Sequence, residues 1–391
     1  MKINNLFFSV LMTGSLFIAM PLLSACSSDN NDEPKKEQPA VDSKNLDYSP
    51  EYAQSWHNYS VKVAELLARD SQDLYDSWNT SYEGNDSYAS IFRNASSPYT
   101  GHLNCIEEIL DGCSDIANEV GEAKIGDPYD LYNAGRKEEA LYAVESWYSW
   151  HSRDDYSNNI LSIRNSYLGS LDGNEAPNSM AALVKERDAQ LDSDTRNAIS
   201  TAYNAILAIP QPFRNNINCA EARAAMDACA DLDNLITRRL KPFFTALDAD
   251  DDQLLKEIVI NYTDNVVLPT YNTLRERNAS LLQAVKNLAS APSDENFRKA
   301  ANAWLLAREP WEKSEAFLFG PVDALGLDPN MDSWPLDQDA IVNHLKSGNF
   351  SDLEWGDGDN DEKVEAAQNI RGFHTLEFLL FKDGQPRKIN N

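Results

Sequence analysis

Arg371-Gly372-Phe373-His374-Thr375-Leu376-Glu377-Phe378-Leu379-Leu380-Phe381 is the stretch from which the rest of the chain can be read. Phe373, Leu376, Phe378, Leu379 and Leu380 leave no face for water, so a helix here is buried all round. His374 and Glu377 stand three apart and share one side of it. An imidazole and a carboxylate inside such a helix must find partners among protein groups, water or a metal. Gly372 weakens the first turn, which predicts that another backbone or a ligand comes close there. Alone, the His-x-x-Glu pair also fits an ordinary structural contact.

A helix buried on every side needs other helices around it, and the chain supplies them. Residues 52–78 carry Trp56, Val63, Leu66, Leu67, Leu74 and Trp78 at helical spacing, and residues 103–120 repeat the pattern. Further helical stretches cover about 138–167, 179–190, 192–209, 218–247, 251–288, 294–319 and 361–381. Asp192, Ser293 and the Asp359-Asn360 pair read as helix caps. Pro269 and Pro310 fall inside apolar helical patterns and predict kinks. There is no convincing run of alternating strands. The fold class is therefore all-α, and helices this long favour up-and-down bundles. The acidic run from Asp248 to Asp252 reads as a boundary, giving a first bundle over 50–247 and a second over 250–391.

The whole chain has 391 residues, 42% hydrophobic and 10% aromatic, which excludes disordered, collagen-like and disulfide mini-protein classes. Its 62 acidic and 34 basic residues give a formal charge of -28. Such a surface repels phosphate backbones and concentrates cations, so nucleic acid is a poor partner.

The first residues read as an export signal rather than as fold. Met1-Lys2 precedes a mostly apolar run from Leu6 to Leu23, and Leu23-Ser24-Ala25-Cys26 resembles a bacterial lipobox. Residues 1–25 are then a lipoprotein signal peptide, with Cys26 the lipidated first residue. Residues 26–49 form a flexible tether. Its Ser28-Asp29-Asn30-Asn31-Asp32-Glu33 run resembles the export signals with which Bacteroidetes display lipoproteins on the cell surface. The expected location is the outer membrane, held through the lipid alone.

Four cysteines remain after Cys26. Cys105 and Cys113 are too far apart to bridge within one helix, since eight residues span roughly 12 Å. Antiparallel neighbours would allow Cys105–Cys229 and Cys113–Cys219 disulfides in this oxidising context, and four buried thiols are the alternative.

A second segment bears on the His-x-x-Glu pair. Trp304-Leu305-Leu306-Ala307-Arg308-Glu309-Pro310-Trp311-Glu312-Lys313-Ser314-Glu315 continues through Phe319-Gly320-Pro321. Carboxylates on one helix facing a His/Glu pair on another is how helix bundles hold iron or manganese. The plain alternative is an acidic helix face with Arg308 paired to Glu312. Glu145, Ser149 and Ser152 also make a polar stripe at i, i+4 and i+7 among Trp147, Tyr148 and Trp150.

Together these residues resemble the imelysin family, once filed as M75 peptidases. Gly372, His374 and Glu377 match its GxHxxE hallmark. Trp304, Arg308, Glu312, Ser314-Glu315 and Phe319-Gly320-Pro321 look like its other characteristic segment. Glu145-Ser146-Trp147-Tyr148-Ser149-Trp150-His151 is a third match. In the usual family order the GxHxxE half comes first; here Glu145 precedes it, so the order looks circularly permuted, with the loop near Asp248 replacing the ordinary termini. The resemblance implies two similar four-helix bundles with a shared site at their interface. It also implies a role in iron uptake, with iron or another divalent metal, free or in a chelate, as ligand and an outer-membrane uptake protein as partner. His374, Glu377 and Glu315 become the expected ligands, Arg308 orients a carboxylate or an anionic chelator, and Glu145 and Ser149 line the site.

The old family label implies a metallopeptidase instead. A His-Glu-x-x-His string is absent, and the inverted His-x-x-Glu-His would need histidine where Phe378 stands. A binding protein is the expectation, with a peptidase or a protein-binding helical scaffold as alternatives. Asp357-Gly358-Asp359-Asn360-Asp361-Glu362 resembles a calcium loop, but its sixth position lacks glycine, which favours a capped helix start.

Overall fold

The computed structural model describes residues 46–356 and 358–389. The expected signal peptide, Cys26 and most of the expected tether lie outside these residues. The described chain is all-α apart from one two-residue ribbon. None of its helices is long and apolar enough to cross a membrane.

Two four-helix groups share one continuous apolar core. The first contains His102–Glu119, Ser152–Leu168, Ala189–Ala208 and Ala220–Leu235. The second contains Ala53–Asn79, Leu268–Ser290, Asp294–Glu312 and the motif helix Gly372–Leu380. The grouping corrects the expected cut near Asp248, because Ala53–Asn79 packs with the late helices. Its apolar face buries Trp56, Val63, Leu67, Leu74 and Trp78, and the Trp56 indole donates to Leu379 O at 2.9 Å. Asp248 itself shares a reciprocal capping box with Asp251.

Local chemistry accounts for most element ends. Ser293 and Asn360 accept from Asn296 N and Lys363 N, both at 3.1 Å. The second bond starts the helix Asp361–Gln368, as the capped-start reading of that segment requires. Asp192 is not a cap: Asp188 accepts from Leu191 N instead, and Asp192 pairs with Arg196. Pro269, which lacks an N–H, sits just after a π-turn over Thr263–Val267 that joins two helices into one path. Pro310 lies inside its helix, which ends at Glu312.

The largest departure is between residues 144 and 151. The expected helix over 138–167 breaks into Lys137–Ala143 and Ser152–Leu168, with a loop between them. Ser146 (φ 50°) and Trp150 (φ 62°) take left-handed conformations that non-glycine residues adopt only when their surroundings impose them. Those surroundings are visible. The Ser146 hydroxyl donates to Asp155 Oδ2 at 2.5 Å, the Ser152 hydroxyl to Glu145 O at 2.5 Å, and Arg214 to Trp147 O at 3.0 Å. After the motif helix, Phe381–Lys382 and Gln385–Pro386 form a hairpin turned by Asp383-Gly384. Gly384 N donates to Tyr148 O at 2.9 Å, and a Cβ on Gly384 would lie 2.5 Å from the Trp150 ring. The hairpin therefore presses the loop into place.

Neither expected disulfide forms: Cys105, Cys113, Cys219 and Cys229 are free. Helix register explains this. A Cβ on Gly121 would lie 3.0 Å from Cys229 Cβ, so Cys229 faces a position roughly 24 Å along the helix path from Cys105. Cys219 caps its own helix, accepting from Ala222 N at 3.3 Å. Burial pushes the Cys105, Cys113 and Cys229 thiols up to about 12, which makes them unreactive.

Candidate metal centre at the bundle interface

The motif helix is buried along its whole length, and His374 and Glu377 are both 0% exposed. Its entry depends on Gly372, which has φ +82°. A Cβ there would sit 2.5 Å from Met331 O. The predicted close approach is thus a backbone carbonyl, and it sets Asp332, the next residue, beside His374.

Three carboxylates surround the imidazole. His374 Nε2 is 3.2 Å from Asp332 Oδ1 and 3.8 Å from Glu145 Oε1. On the other side, Nδ1 lies 3.1 Å from Glu377 Oε2. Glu377 Oε1 accepts twice from Ser149, from its N–H at 2.7 Å and from its hydroxyl at 2.6 Å. The loop 144–151 therefore delivers Glu145 to one nitrogen of His374 and Ser149 to the acid on the other. Because Glu145 and Ser149 lie on a bent loop rather than a helix, they reach different sides of the same ring.

Arg308 enters from the Asp294–Glu312 helix. Its guanidinium pairs with Asp332, with Glu312 at 2.5 Å and with Asp155 at 3.5 Å. Arg308 Nη2 also approaches His374 Nε2 at 3.3 Å. The Trp311 indole donates to Asp332 Oδ2 at 2.6 Å, and Asn159 donates to Glu312 Oε2 at 2.6 Å. Lys124, from the π-turn Val120–Gly126, donates to Glu145 at 3.0 Å and lies 3.5 Å from Glu119. Glu145, Asp332 and His374 each offer a ligand atom, all within 4.8 Å of one another; Glu312, Glu315 and Asp332 form a second such group.

Burial presses upward on Glu145, Asp155, Glu312, Glu315, Asp328 and Asp332, and the neighbours decide the net direction. Burial pushes Glu145 up, but Lys124 and the His374 hydrogen bond outweigh it and hold the carboxyl at about 2. Burial also opposes Asp332, which Arg308 and His374 keep well below the usual range. Burial drives Glu312 up to about 8 despite Arg308. Burial and the charge of Asp332 drive Asp328 to about 7. Burial raises Glu315 and Asp155 as well. Burial and Arg308 press His374 down, yet its bonds to Asp332, Glu145 and Glu377 leave it well above its ordinary value. The site thus holds more carboxylates than Arg308, Lys124 and an imidazolium can balance, and the surplus is carried as protons.

Five of the expected side chains meet here: His374, Glu377, Arg308, Glu145 and Ser149. Glu315 is buried in the same cluster but stands with Glu312 and Asp332, not on His374. Asp155 follows the third matched segment, and Asp332 and Lys124 are the members that the motifs did not single out. The i, i+4 spacing of Asp328 and Asp332 is a signal for one of them; Lys124 has none.

A family model described as Imelysin matches residues 33–239 and 267–391. A crystal structure of an imelysin peptidase from Bacteroides ovatus is 58% identical, with a TM-score of 0.88, over 89% of this chain and 100% of that chain. The Iron-regulated protein A of Synechococcus elongatus is 29% identical over 170 residues, 44% of this chain and 39% of that protein. The match to this curated relative therefore spans about two fifths of the relative's length.

Proposed function

The chain belongs to the imelysin family, and from that premise we propose that it is an exported lipoprotein of iron uptake. In this reading Cys26 carries the lipid, the tether holds the bundles outside the outer membrane, and iron binds as the ion or within an iron-containing ligand. The observation that carries the reading is the convergence of Glu145, Asp332 and His374 from three distant segments, with ligand atoms within 4.8 Å of one another. The name of the Synechococcus relative supports iron among the possible metals.

The residues fit a cation. Oxygen and imidazole donors suit iron, and also zinc and manganese. Glu145, Asp332 and His374 would hold the ion, and the ion when bound would supply positive charge to a cluster with carboxylates in excess. His374 must give up a proton to ligate, so uptake would release protons. Glu377 fixes the ring from Nδ1, and Ser149 fixes Glu377. Arg308 and Lys124 neutralise Asp332 and Glu145 in this structure, so a bound cation competes with two protein cations.

Glu377 also supports binding over hydrolysis. A zinc peptidase needs a carboxylate free to take a proton from water. Here one oxygen of Glu377 holds His374 and the other accepts from Ser149 twice.

Protein stripped of metal and then incubated with ferrous ion should retain one ion per chain, and His374→Ala should retain none. Undiminished iron in His374→Ala would overturn the proposed site. Proteolysis by zinc-loaded protein, lost in the same variant, would overturn the binding role.

A further inference from the structure

The cluster is almost closed: His374, Glu312 and Arg308 are 0% exposed, and the Asp332 and Glu145 side chains only 4% and 9%. Any ligand must pass a wall. That wall includes Trp334, whose ring stands edge-on to the imidazole with centroids 4.8 Å apart. The indole N–H donates to Ala143 O at 3.1 Å, at the end of the helix that leads into the Glu145 loop. Its chain neighbour on one side, Ser333, donates to Asn369 Oδ1 at 2.6 Å, and the helix Gln338–Ser347 begins soon after on the other. Trp334 also lines a cavity of about 370 Å³ with Tyr142, Leu336, Asp337 and Asp339. At roughly 30 Å³ per water this holds about a dozen waters, enough for a hydrated ion or a small chelate. Asp337 and Asp339 give its mouth the charge that attracts cations.

The space beyond is much smaller. Three atoms within 4.8 Å of one another have a centre within about 2.8 Å of each, near the roughly 2.0–2.6 Å of metal–oxygen and metal–nitrogen bonds. One ion fits there, and the organic part of a chelate does not.

We propose that Trp334 is the door between this cavity and the buried cluster, and that what passes it is a single cation without its chelator. The second clause rests on the iron-binding reading; the first does not. Exchange would happen at the door, with chelator or water oxygens replaced by the oxygens of Glu145 and Asp332 and by the His374 nitrogen.

Two measurements on the full chain test this. Diethyl pyrocarbonate modification is followed by mass spectrometry at His374, with buried His57 as the internal control for general loosening. Trp334→Ala should speed modification of His374 at least tenfold and leave His57 unchanged. Trp334→Phe, which keeps one aromatic ring but gives up the bond to Ala143 O and part of the indole's bulk, should speed it a few-fold and guards against misfolding of the first variant. The carboxylates that hold the proton on His374 are the same in all three proteins, so the comparison reads access. An unchanged His374 rate, or parallel increases at His374 and His57, would overturn the door. Equilibrium dialysis with ferric citrate should leave one iron and no citrate on the wild-type chain. Citrate retained with the iron would overturn the single-ion clause. If neither free iron nor ferric citrate binds, the iron reading and the single-ion clause both fall, while the modification rates still decide the role of Trp334.

Discussion

Ser149 grips Glu377 with two donors on one oxygen, its N–H at 2.7 Å and its hydroxyl at 2.6 Å, across 228 residues of sequence. The hydroxyl can be removed without touching the backbone. Ser149→Ala should lower stability by about 1.5–3 kcal/mol, the range for a hydrogen bond to a buried charged group. Urea unfolding checks the loss. An unchanged midpoint would mean that the remaining N–H suffices.

Glu145 and Lys124 form the buried pair most exposed to single substitution. Glu145→Gln leaves Lys124 with only Glu119 at 3.5 Å, and breaking one partner of a buried pair costs about 3–5 kcal/mol. The double variant Glu145→Gln, Lys124→Met should recover most of that loss. A double-mutant cycle checks the coupling, and additive losses would show that the two side chains do not depend on each other.

Two acids of the cluster set opposite pH limits. Glu145 is held at about 2 against an ordinary 4.5, so its contribution is present above pH 4.5 and is lost as pH falls towards 2. Glu312 is raised to about 8, so its contribution is full below pH 4.5 and is lost as pH climbs to 8. Unfolding midpoints measured from pH 3 to 9 should therefore fall on both limbs, within about those windows. Glu312→Gln should make the alkaline limb shallower, with the part carried by Asp328, raised to about 7, remaining, and should leave the acid limb in place.

Gly372 has a separate and steric role. With φ +82° and Met331 O 2.5 Å from an added Cβ, Gly372→Ala must push the Asp332 segment away from His374. The expected loss is about 2 kcal/mol or more. Iron retention should fall with it, which dialysis after refolding would show. Full retention would mean that Asp332 is not a ligand.

The anchor is tested independently of the bundles. Cys26→Ala should shift the protein from the membrane to the soluble fraction without changing its unfolding midpoint. Unchanged membrane association would overturn lipidation at Cys26.

The parts legible in sequence were those written in local chemistry. The all-round apolar face of Gly372–Leu380 showed its burial, and Ser293 and Asn360 showed their helix starts. Gly372 showed that something comes close. The Glu145 loop was hidden because Ser146 and Trp150 take positive φ without glycine, so Glu145, Ser149 and Ser152 looked like a helical stripe. What bends the loop is remote: Asp155, Arg214 and the Gly384 turn. Asp332 was hidden for a similar reason, since its place is fixed by Met331 against Gly372 and not by its own neighbours. The cysteine pairing failed on register, which the Gly121–Cys229 contact sets.

The bond from Trp56 to Leu379 spans 323 residues, and this has a consequence in time. A chain made at about 5–20 residues per second separates these two partners by roughly 16–65 s. Until Leu268–Ser290 is made, the early helix Ala53–Asn79 lacks its main late partner, and until Leu379 follows, Trp56 lacks its acceptor. A newly made chain thus carries a sticky apolar stripe near its start that is covered in stages, and completely only when the last described helix emerges. Closing contacts over such distances is slow, so the nascent protein should depend on chaperones that shield this stripe, and a break in the chain before Leu268 would leave it without its late partners.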